Sequence, residues 1–344
     1  MRIAVFNAGS SSVKFKLFDS ETMEVLKTQQ IQNIGEKGSR IKNHHDAFEC
    51  LDLDFSSLDA IGHRVVQGGE IFSASVLIDE KVEALIESLI CLAPLHNPAN
   101  LEGIKLARLK NKNIPQIAVF DTAFHASMPK EAYLYALPYE MYEKHGIRRF
   151  GFHGSSHAYI AREAAFYLNK KQNSVNLITL HLGNGASACA IQKGLSIDTS
   201  MGFTPLEGLV MGSRSGDIDP AIVLYMQREL GLSVNEVDTL LNKNAGLRGI
   251  CDENDVSKIV NSDDTKAKLA LDMMIRRIQK YIGSYMALLG TLDAVVFSGG
   301  VGENSSYIRE RVMSSEMFKN IKYFVIKTDE ELEILNECIK ILKR

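Results

Sequence analysis

Two arginines stand where a cation calls for an anion. Arg64 lies in Ala60-Ile61-Gly62-His63-Arg64-Val65-Val66-Gln67-Gly68-Gly69, an apolar run that reads as a short strand ending in a glycine turn. A buried guanidinium is rare without an anionic partner, from the protein or from a ligand. Arg214 lies in Gly212-Ser213-Arg214-Ser215-Gly216-Asp217-Ile218-Asp219-Pro220, just after Met201-Gly202-Phe203-Thr204-Pro205-Leu206-Glu207-Gly208. Glycines and prolines alternate there with apolar anchors, which describes a functional loop rather than a linker. A third polar group is the turn Asn7-Ala8-Gly9-Ser10-Ser11-Ser12, followed by Lys14. Hydroxyls and backbone N–H groups converging in such a turn make an anion site, with phosphate the expected guest. Asp121 and His125 follow the apolar run Gln116 to Phe120, at the strand edge where open α/β sheets place ligands. Each has a plainer reading. The arginines can be structural ion-pair partners, Asp121 a helix cap, and the serine turn an ordinary hairpin. His96, His125 and His157 read as hydrogen-bonded structural histidines.

The elements that hold these groups follow from pattern. Ile3 to Phe6 is a buried-type strand, and Val13, Phe15 and Leu17 mark a second one across the turn. Ile178-Thr179-Leu180-His181-Leu182-Gly183-Asn184-Gly185-Ala186-Ser187 repeats the plan: strand, small polar turn, strand. Two such hairpins suggest a duplicated fold with ligand between the halves. Residues 19 to 60 are polar and read as a strand or two with loops. Helices are expected over Lys81 to Leu92, Asn100 to Lys110, and from Ser155 or Ser156 (as N-cap) to about Asn169. Ser233 and Glu236 form a capping box for a helix stopped by Gly246. Leu271, Ile275, Ile278, Ile282, Tyr285 and Leu289 stripe one face of a long helix that ends at Gly290. Asp293 to Phe297 is a buried-type strand followed by the glycine loop Ser298 to Asn304 and a helix, which brings backbone N–H groups toward an anion. A strand Tyr323 to Ile326 precedes a last helix, for which Thr328 and Glu331 form the capping box and leave Glu330 to point elsewhere.

Composition narrows the function. A chain of 344 residues with 45% hydrophobic and 24% charged residues suggests two globular domains. A net charge of -3 argues against a nucleic-acid or membrane-surface protein, which would want a basic face. No apolar run is long enough to span a bilayer, and the N-terminus does not read as a signal peptide. Five scattered cysteines without a CxxC argue against zinc and a disulfide framework and for a reducing, cytoplasmic setting. No G-x-G-x-x-G, Walker A or protein-kinase signature occurs.

The series as a whole resembles the acetate kinases. Val5-Phe6-Asn7-Ala8-Gly9-Ser10-Ser11-Ser12-Val13-Lys14 and Gly62 to Gly69 look like the two signatures of that family. Ala93 to Pro98, Val119 to His125, His181 to Gly185, Gly212 to Pro220, Phe297 to Asn304 and Thr328 to Leu332 match in order, from residue 1 to about 335. The resemblance implies an α/β fold of two duplicated actin/Hsp70/sugar-kinase-like (ribonuclease H-like) domains with nucleotide in the interdomain cleft. The expected division is 1–124, rejoined by a terminal helix at about 332–344, and 125–331 as the nucleotide-binding and dimerisation domain. It implies a homodimer and the reaction ATP + acetate ⇌ ADP + acetyl phosphate, by direct in-line attack of the carboxylate, with Mg²⁺ or alternatively Mn²⁺.

The resemblance also assigns roles. Asn7 and Glu330 match the metal-linked positions, and Ser10, Ser12 and Lys14 the phosphate turn. Arg64, Arg214, Asp121 and His153 match the catalytic groups. Val66, Leu95, Phe152 and Pro205 match the pocket around the acetate methyl, with Arg64 at its carboxylate. His181, Leu182, Gly183, Asn184, Gly185, Asp255, Gly300, Val301, Gly302, Glu303 and Asn304 match nucleotide contacts. These roles suit the chemistry: a carboxylate nucleophile is already ionised at pH 7, so the problem is negative charge, which arginine forks and a divalent cation handle. The chain departs from the pattern in three ways. It is shorter within 19–55 and 313–323, Gln67 replaces a usual histidine, and Val256 and Ser257 replace an aromatic and an arginine beside Asp255. Rival readings are a propionate or butyrate kinase, a sugar kinase of the same fold with Asp121 as general base, and a non-enzymatic nucleotide-gated module.

Overall fold

The computed structural model describes residues 1–9, 11–94 and 96–343, so Ser10 and Leu95 lie outside the described residues. The chain divides into two compact units. The first comprises Met1–Ala126, Gly154–Ser156 and Asp329–Arg344; the second comprises Ser127–His153 and His157–Thr328.

The first unit holds β1 (Arg2–Gly9), β2 (Ser12–Asp19), β3 (Val25–Ile31), β4 (Ala60–Val65), β5 (Val76–Leu77) and β6 (Gln116–Phe120), in the sheet order β3-β2-β1-β4-β6-β5. β1, β2 and β3 are successive antiparallel neighbours, while β1, β4 and β6 run parallel. β1 is buried on both faces, with alternation sorting its side chains. Ala4, Phe6 and Ala8 join Phe15, Phe48 and Phe55 on one side. Ile3 and Val5 join Ile117, Val119 and, from the terminal helix Glu330–Leu342, Ile334, Leu335 and Cys338 on the other.

The second unit repeats this plan. β7 (Leu177–Leu182), β8 (Ala186–Gln192) and β9 (Leu195–Thr199) are antiparallel, and β10 (Ala294–Ser298) and β11 (Tyr323–Val325) extend the sheet in parallel, in the order β11-β10-β7-β8-β9. Read from the hairpin side, β9-β8-β7-β10-β11 matches β3-β2-β1-β4-β6. The helix Thr265–Leu289 buries the expected stripe of Leu271, Ile275, Ile278, Ile282, Tyr285 and Leu289.

Several element boundaries differ from expectation. The first hairpin is tighter than the polar turn suggests, with pairing that continues to Gly9 and Ser12 and sets Asn7 opposite Lys14. The segment after β3 carries a short helix, His44–Glu49, capped by Asn43. The helix before Pro94 stops at Ser88, and Ile90–Leu92 is a 3-10 turn. The next helix starts at Asn97, because Pro98 suits a first-turn position. The helix Val234–Lys243 has the expected capping box but ends at Asn244, and Gly246 opens the following helix instead of stopping this one. His153, not Ser155 or Ser156, is the N-cap residue of the helix Gly154–Tyr167, in a left-handed conformation (φ 57°). Ser298–Asn304 is not an open loop, since Gly299–Asn304 is itself helical. Asp329, not Thr328, caps the terminal helix, by accepting from the Leu332 N–H.

Candidate active site

In the first unit, parallel β1, β4 and β6 end side by side. Phe6 pairs with His63 and Val65 with Phe120, so Asn7, Arg64 and Asp121 come to one sheet edge. Asp121 follows β6 directly, and its N–H donates to the Val65 carbonyl at 2.9 Å. Arg64 grips its carboxylate from two points: Nε donates to Oδ1 at 2.9 Å and Nη2 donates to Oδ2 at 2.7 Å. Glu330 approaches the remaining arm, 3.7 Å from Nη1. Burial works against the Arg64 charge, but Asp121 and Glu330 more than offset it and raise its pKa above the ordinary value. Burial pushes the Asp121 carboxyl up from its ordinary value while the arginine fork draws it back.

Two asparagines hold the strand end just past Arg64. Asn100 Oδ1 accepts from the Val66 N–H at 3.0 Å and its Nδ2 donates to the Ala8 carbonyl at 2.7 Å. Asn97 Oδ1 accepts from the Gln67 N–H and its Nδ2 donates to the Gln67 carbonyl, both at 3.0 Å. Both side chains are buried, and neither role was assigned from sequence. The available signal was an Asn pair spaced i, i+3 at the start of a helix, since buried amides need partners.

Lys14 does not stand alone at the hairpin. Its ammonium donates to Glu331 at 2.5 Å, and Lys16 lies 3.2 Å from the other Glu331 oxygen. Burial pushes the Glu331 carboxyl up, yet the two lysines outweigh it and hold it below its ordinary value. Glu331 is thus the lysines' partner rather than half of a capping box. Ser12 faces Gly9 across the turn. Asn7 and Glu330 offer an amide oxygen and a carboxylate, hard donors of the kind Mg²⁺ takes when water and phosphate oxygens complete its shell. Among the described residues no group of three or more His, Cys, Asp or Glu gathers as a metal cluster.

The second unit assembles a separate group. His153 Nδ1 lies 2.9 Å from Ser187 Oγ, which also lies 2.8 Å from His157 Nε2; His157 Nδ1 meets Thr179 Oγ1 at 2.8 Å. The His153 ring stacks on His181 with centroids 4.3 Å apart. A non-glycine residue at positive φ is a strained position that often marks function. A Cβ on Gly185 would lie 3.5 Å from the His153 ring and 3.6 Å from Arg214 Nη1, so these three expected residues are neighbours. Arg214 Nη1 donates to the Pro205 carbonyl at 3.3 Å, and among the described residues no carboxylate pairs with this guanidinium. Burial lowers its pKa from the ordinary value. Phe152 is buried next to His153. The Gly212 N–H donates to the Asn184 carbonyl at 3.0 Å, which ties the loop of Arg214 to the turn after β7.

A cavity of about 300 Å³ gathers Asp255, Val256 and Ser257 with Gly300, Val301 and Asn304. Asp255 is turned inward on its own helix: Oδ1 accepts from the Ser257 N–H at 2.9 Å and from Ser257 Oγ at 2.7 Å, bonds that hold it below the ordinary carboxylate range. Gly302 and Leu182 are buried away from this cavity, packed on one another. Glu303 folds back, its Oε1 accepting from the N–H groups of Gly299 and Thr328, both at 3.0 Å. It thereby fills with its own charge a helix start that was expected to face an anion.

This geometry has close relatives. The chain matches the acetokinase family over residues 46–341. It is 52% identical, across the whole of both chains, to an acetate kinase of Sulfurimonas denitrificans. That alignment runs to 388 positions, so the relative carries residues that this chain of 344 lacks. Among solved structures it resembles the acetate kinase of Porphyromonas gingivalis, with a TM-score of 0.93 and 37% identity over 99% of each chain. A propionate kinase of Francisella tularensis gives a TM-score of 0.93 and 43% identity over 98% of each chain. With this likeness running the full length of the chain and its relatives, on a duplicated actin/Hsp70/sugar-kinase-like α/β fold, the chain belongs to the acetokinase family.

Proposed function

We propose that this chain transfers the γ-phosphoryl group of ATP to acetate, giving ADP and acetyl phosphate, and that it also runs the reverse reaction. The observation that carries the reading is Arg214: a largely buried guanidinium beside His153 and Gly185, bonded to a carbonyl and to no carboxylate among the described residues. A cation in that setting is suited to an anionic ligand. In the proposed reaction an acetate oxygen attacks the γ-phosphorus, a P–O bond forms, and the bond to the bridging oxygen breaks with its electron pair leaving on ADP. The acceptor is already ionised, so no general base is required.

Arg64, steadied by Asp121, orients the acetate carboxylate. Arg214 neutralises the phosphoryl oxygens, and His153, oriented by Ser187, assists it. Val66, Phe152 and Pro205, with Leu95, wall the methyl group. Lys14, Ser10 and Ser12 serve the phosphates. His181, Leu182, Gly183, Asn184 and Gly185, with Asp255 and Gly300 to Asn304, serve the rest of the nucleotide. Asn7 and Glu330 are the proposed ligands of Mg²⁺, or alternatively Mn²⁺, which when bound supplies charge neutralisation at the phosphates. We further propose a division of labour in which the N-terminal part with the terminal helix handles the acid and the remainder handles nucleotide and dimerisation, in a cytoplasmic homodimer.

A second reading, propionate as the preferred acceptor, is favoured by the likeness to a propionate kinase. The test is to mix the purified protein with MgATP, hydroxylamine and either acid, and to measure the acyl hydroxamate. Acetyl hydroxamate formed at higher kcat/KM than the propionyl product supports acetate. The opposite order selects the second reading, and no product from either acid overturns both.

A further inference from the structure

We infer that Tyr135, Arg149 and Glu207 form a clamp that sets the width of the acid pocket by fixing the loop that carries Pro205; the inference rests on the reading of Pro205 as a wall of that pocket. After β9 the chain runs without helix or strand until Pro220, so side chains must hold its backbone. Arg149 does much of this. Its Nη1 donates to the carbonyls of Thr199, Ser200 and Met201 at 3.0, 3.2 and 3.1 Å, and its Nη2 donates to Glu207 Oε1 at 2.6 Å. Glu207 Oε2 accepts from the Tyr135 hydroxyl, which in turn accepts from the Phe203 N–H at 2.9 Å. The loop is therefore pinned on both sides of Pro205, at Phe203 and at Glu207.

The fit leaves no slack at the clamp and much behind the loop. A Cβ on Gly202 would run into the Glu207 carboxylate and the Tyr135 hydroxyl. By contrast, a cavity of about 450 Å³ lies against Phe203, Leu206 and Glu207, so packing alone does not keep the loop in place. The same clamp registers two walls against each other. The Phe150 and Gly151 N–H groups donate to the Gly202 carbonyl at 3.0 and 3.3 Å, one step from Phe152, and the Pro205 carbonyl accepts from Arg214. Tyr135, Arg149 and Glu207 are positioning residues: they act on the acid through Pro205, Phe152 and Arg214.

Tyr135→Phe tests this by removing one oxygen at nearly constant shape. The readouts are kcat/KM for acetate and for propionate, KM for MgATP, and the melting temperature. We expect the propionate-to-acetate ratio of kcat/KM to rise by about threefold or more, a fraction of the 10–200-fold that one methylene can decide. KM for MgATP should stay within about twofold. Glu207→Gln should move the ratio in the same direction, and Arg149→Lys should not preserve it, because one ammonium cannot span three carbonyls and a carboxylate. Pro205→Ala is the control for the underlying reading. If Pro205→Ala shifts the ratio and folded Tyr135→Phe and Glu207→Gln do not, the clamp is wrong while the pocket stands. If Pro205→Ala leaves both acids unaffected, the pocket reading fails and the clamp with it. An equal loss of kcat on both acids, at an unchanged ratio, would reduce the three residues to a structural role and overturn the inference.

Discussion

Arg64 and Asp121 meet through three hydrogen bonds, Nε to Oδ1 at 2.9 Å and to Oδ2 at 3.1 Å, and Nη2 to Oδ2 at 2.7 Å, with the carboxylate 2% exposed. Each is the other's condition for being buried. Asp121→Ala leaves the guanidinium without its main partner and should cost roughly 3 kcal/mol of stability, the range for breaking a buried pair. Asp121→Asn keeps the shape but only one strong acceptor, and should cost less. Urea unfolding of both variants measures this; equal stability to the parent would show that Glu330 or solvent suffices for Arg64.

Arg214→Ala should lower kcat by about 10²–10³-fold, the loss typical of one electrostatic donor at a transition state. KM for acetate and MgATP should change far less. Arg214→Lys should recover little, since a point charge lacks the planar fork. Steady-state kinetics with circular dichroism as the folding control decides it. A near-normal kcat with a much raised acetate KM would make Arg214 a ground-state anchor for the carboxylate.

Base selectivity should be slack. Beside the 300 Å³ cavity, Val256 is buried and the Asp255 carboxylate is engaged by Ser257. Neither an aromatic platform nor an arginine is offered from that segment. GTP and ITP should support activity within about tenfold of ATP, that is, within about 1.4 kcal/mol. If only ATP works, another residue reads the base.

Acid should weaken the first unit through His63. This ring is buried at the centre of the sheet, bonded through Nε2 to the Gln116 side-chain amide at 2.7 Å, and burial lowers its pKa from 6.5 to about 4. Between those values the unfolded chain takes up a proton that the folded chain does not. Stability should therefore fall as pH drops from about 6.5 and level off below about 4, by roughly 3 kcal/mol in total. His63→Asn should lose this part of the pH dependence, whatever it does at pH 7.5. Unfolding curves at pH 7.5, 5.5 and 4.5 for both proteins measure the difference, and parallel dependences would rule out His63 as the source.

The strands were legible because burial on both faces writes short apolar runs, and the repeated polar turns gave away the duplication. Arg64 and Asp121 were legible because a charge among apolar residues demands a partner. What could not be read was set by contacts across the sequence. Asn97 and Asn100 reach from a helix start to the backbone of Val66, Gln67 and Ala8, and nothing local announces the target. Ser187 joins His153 to His157 only because β8 brings it to the start of the helix Gly154–Tyr167. The cap assignments failed for the same reason: Glu331 had the spacing of a capping box, but Lys14 and Lys16 claim it.

That last contact has a consequence for how the chain is made. Lys14 leaves the ribosome 317 residues ahead of its partner Glu331, and Lys16 leaves it 313 residues ahead of Asp329. Ile334, Leu335 and Cys338, which cover one face of β1 and β6, come later still. During synthesis the first sheet therefore waits with that face uncovered while some two hundred residues of the second unit emerge and fold. Vectorial folding here runs against chain order: the part made first is the part completed last.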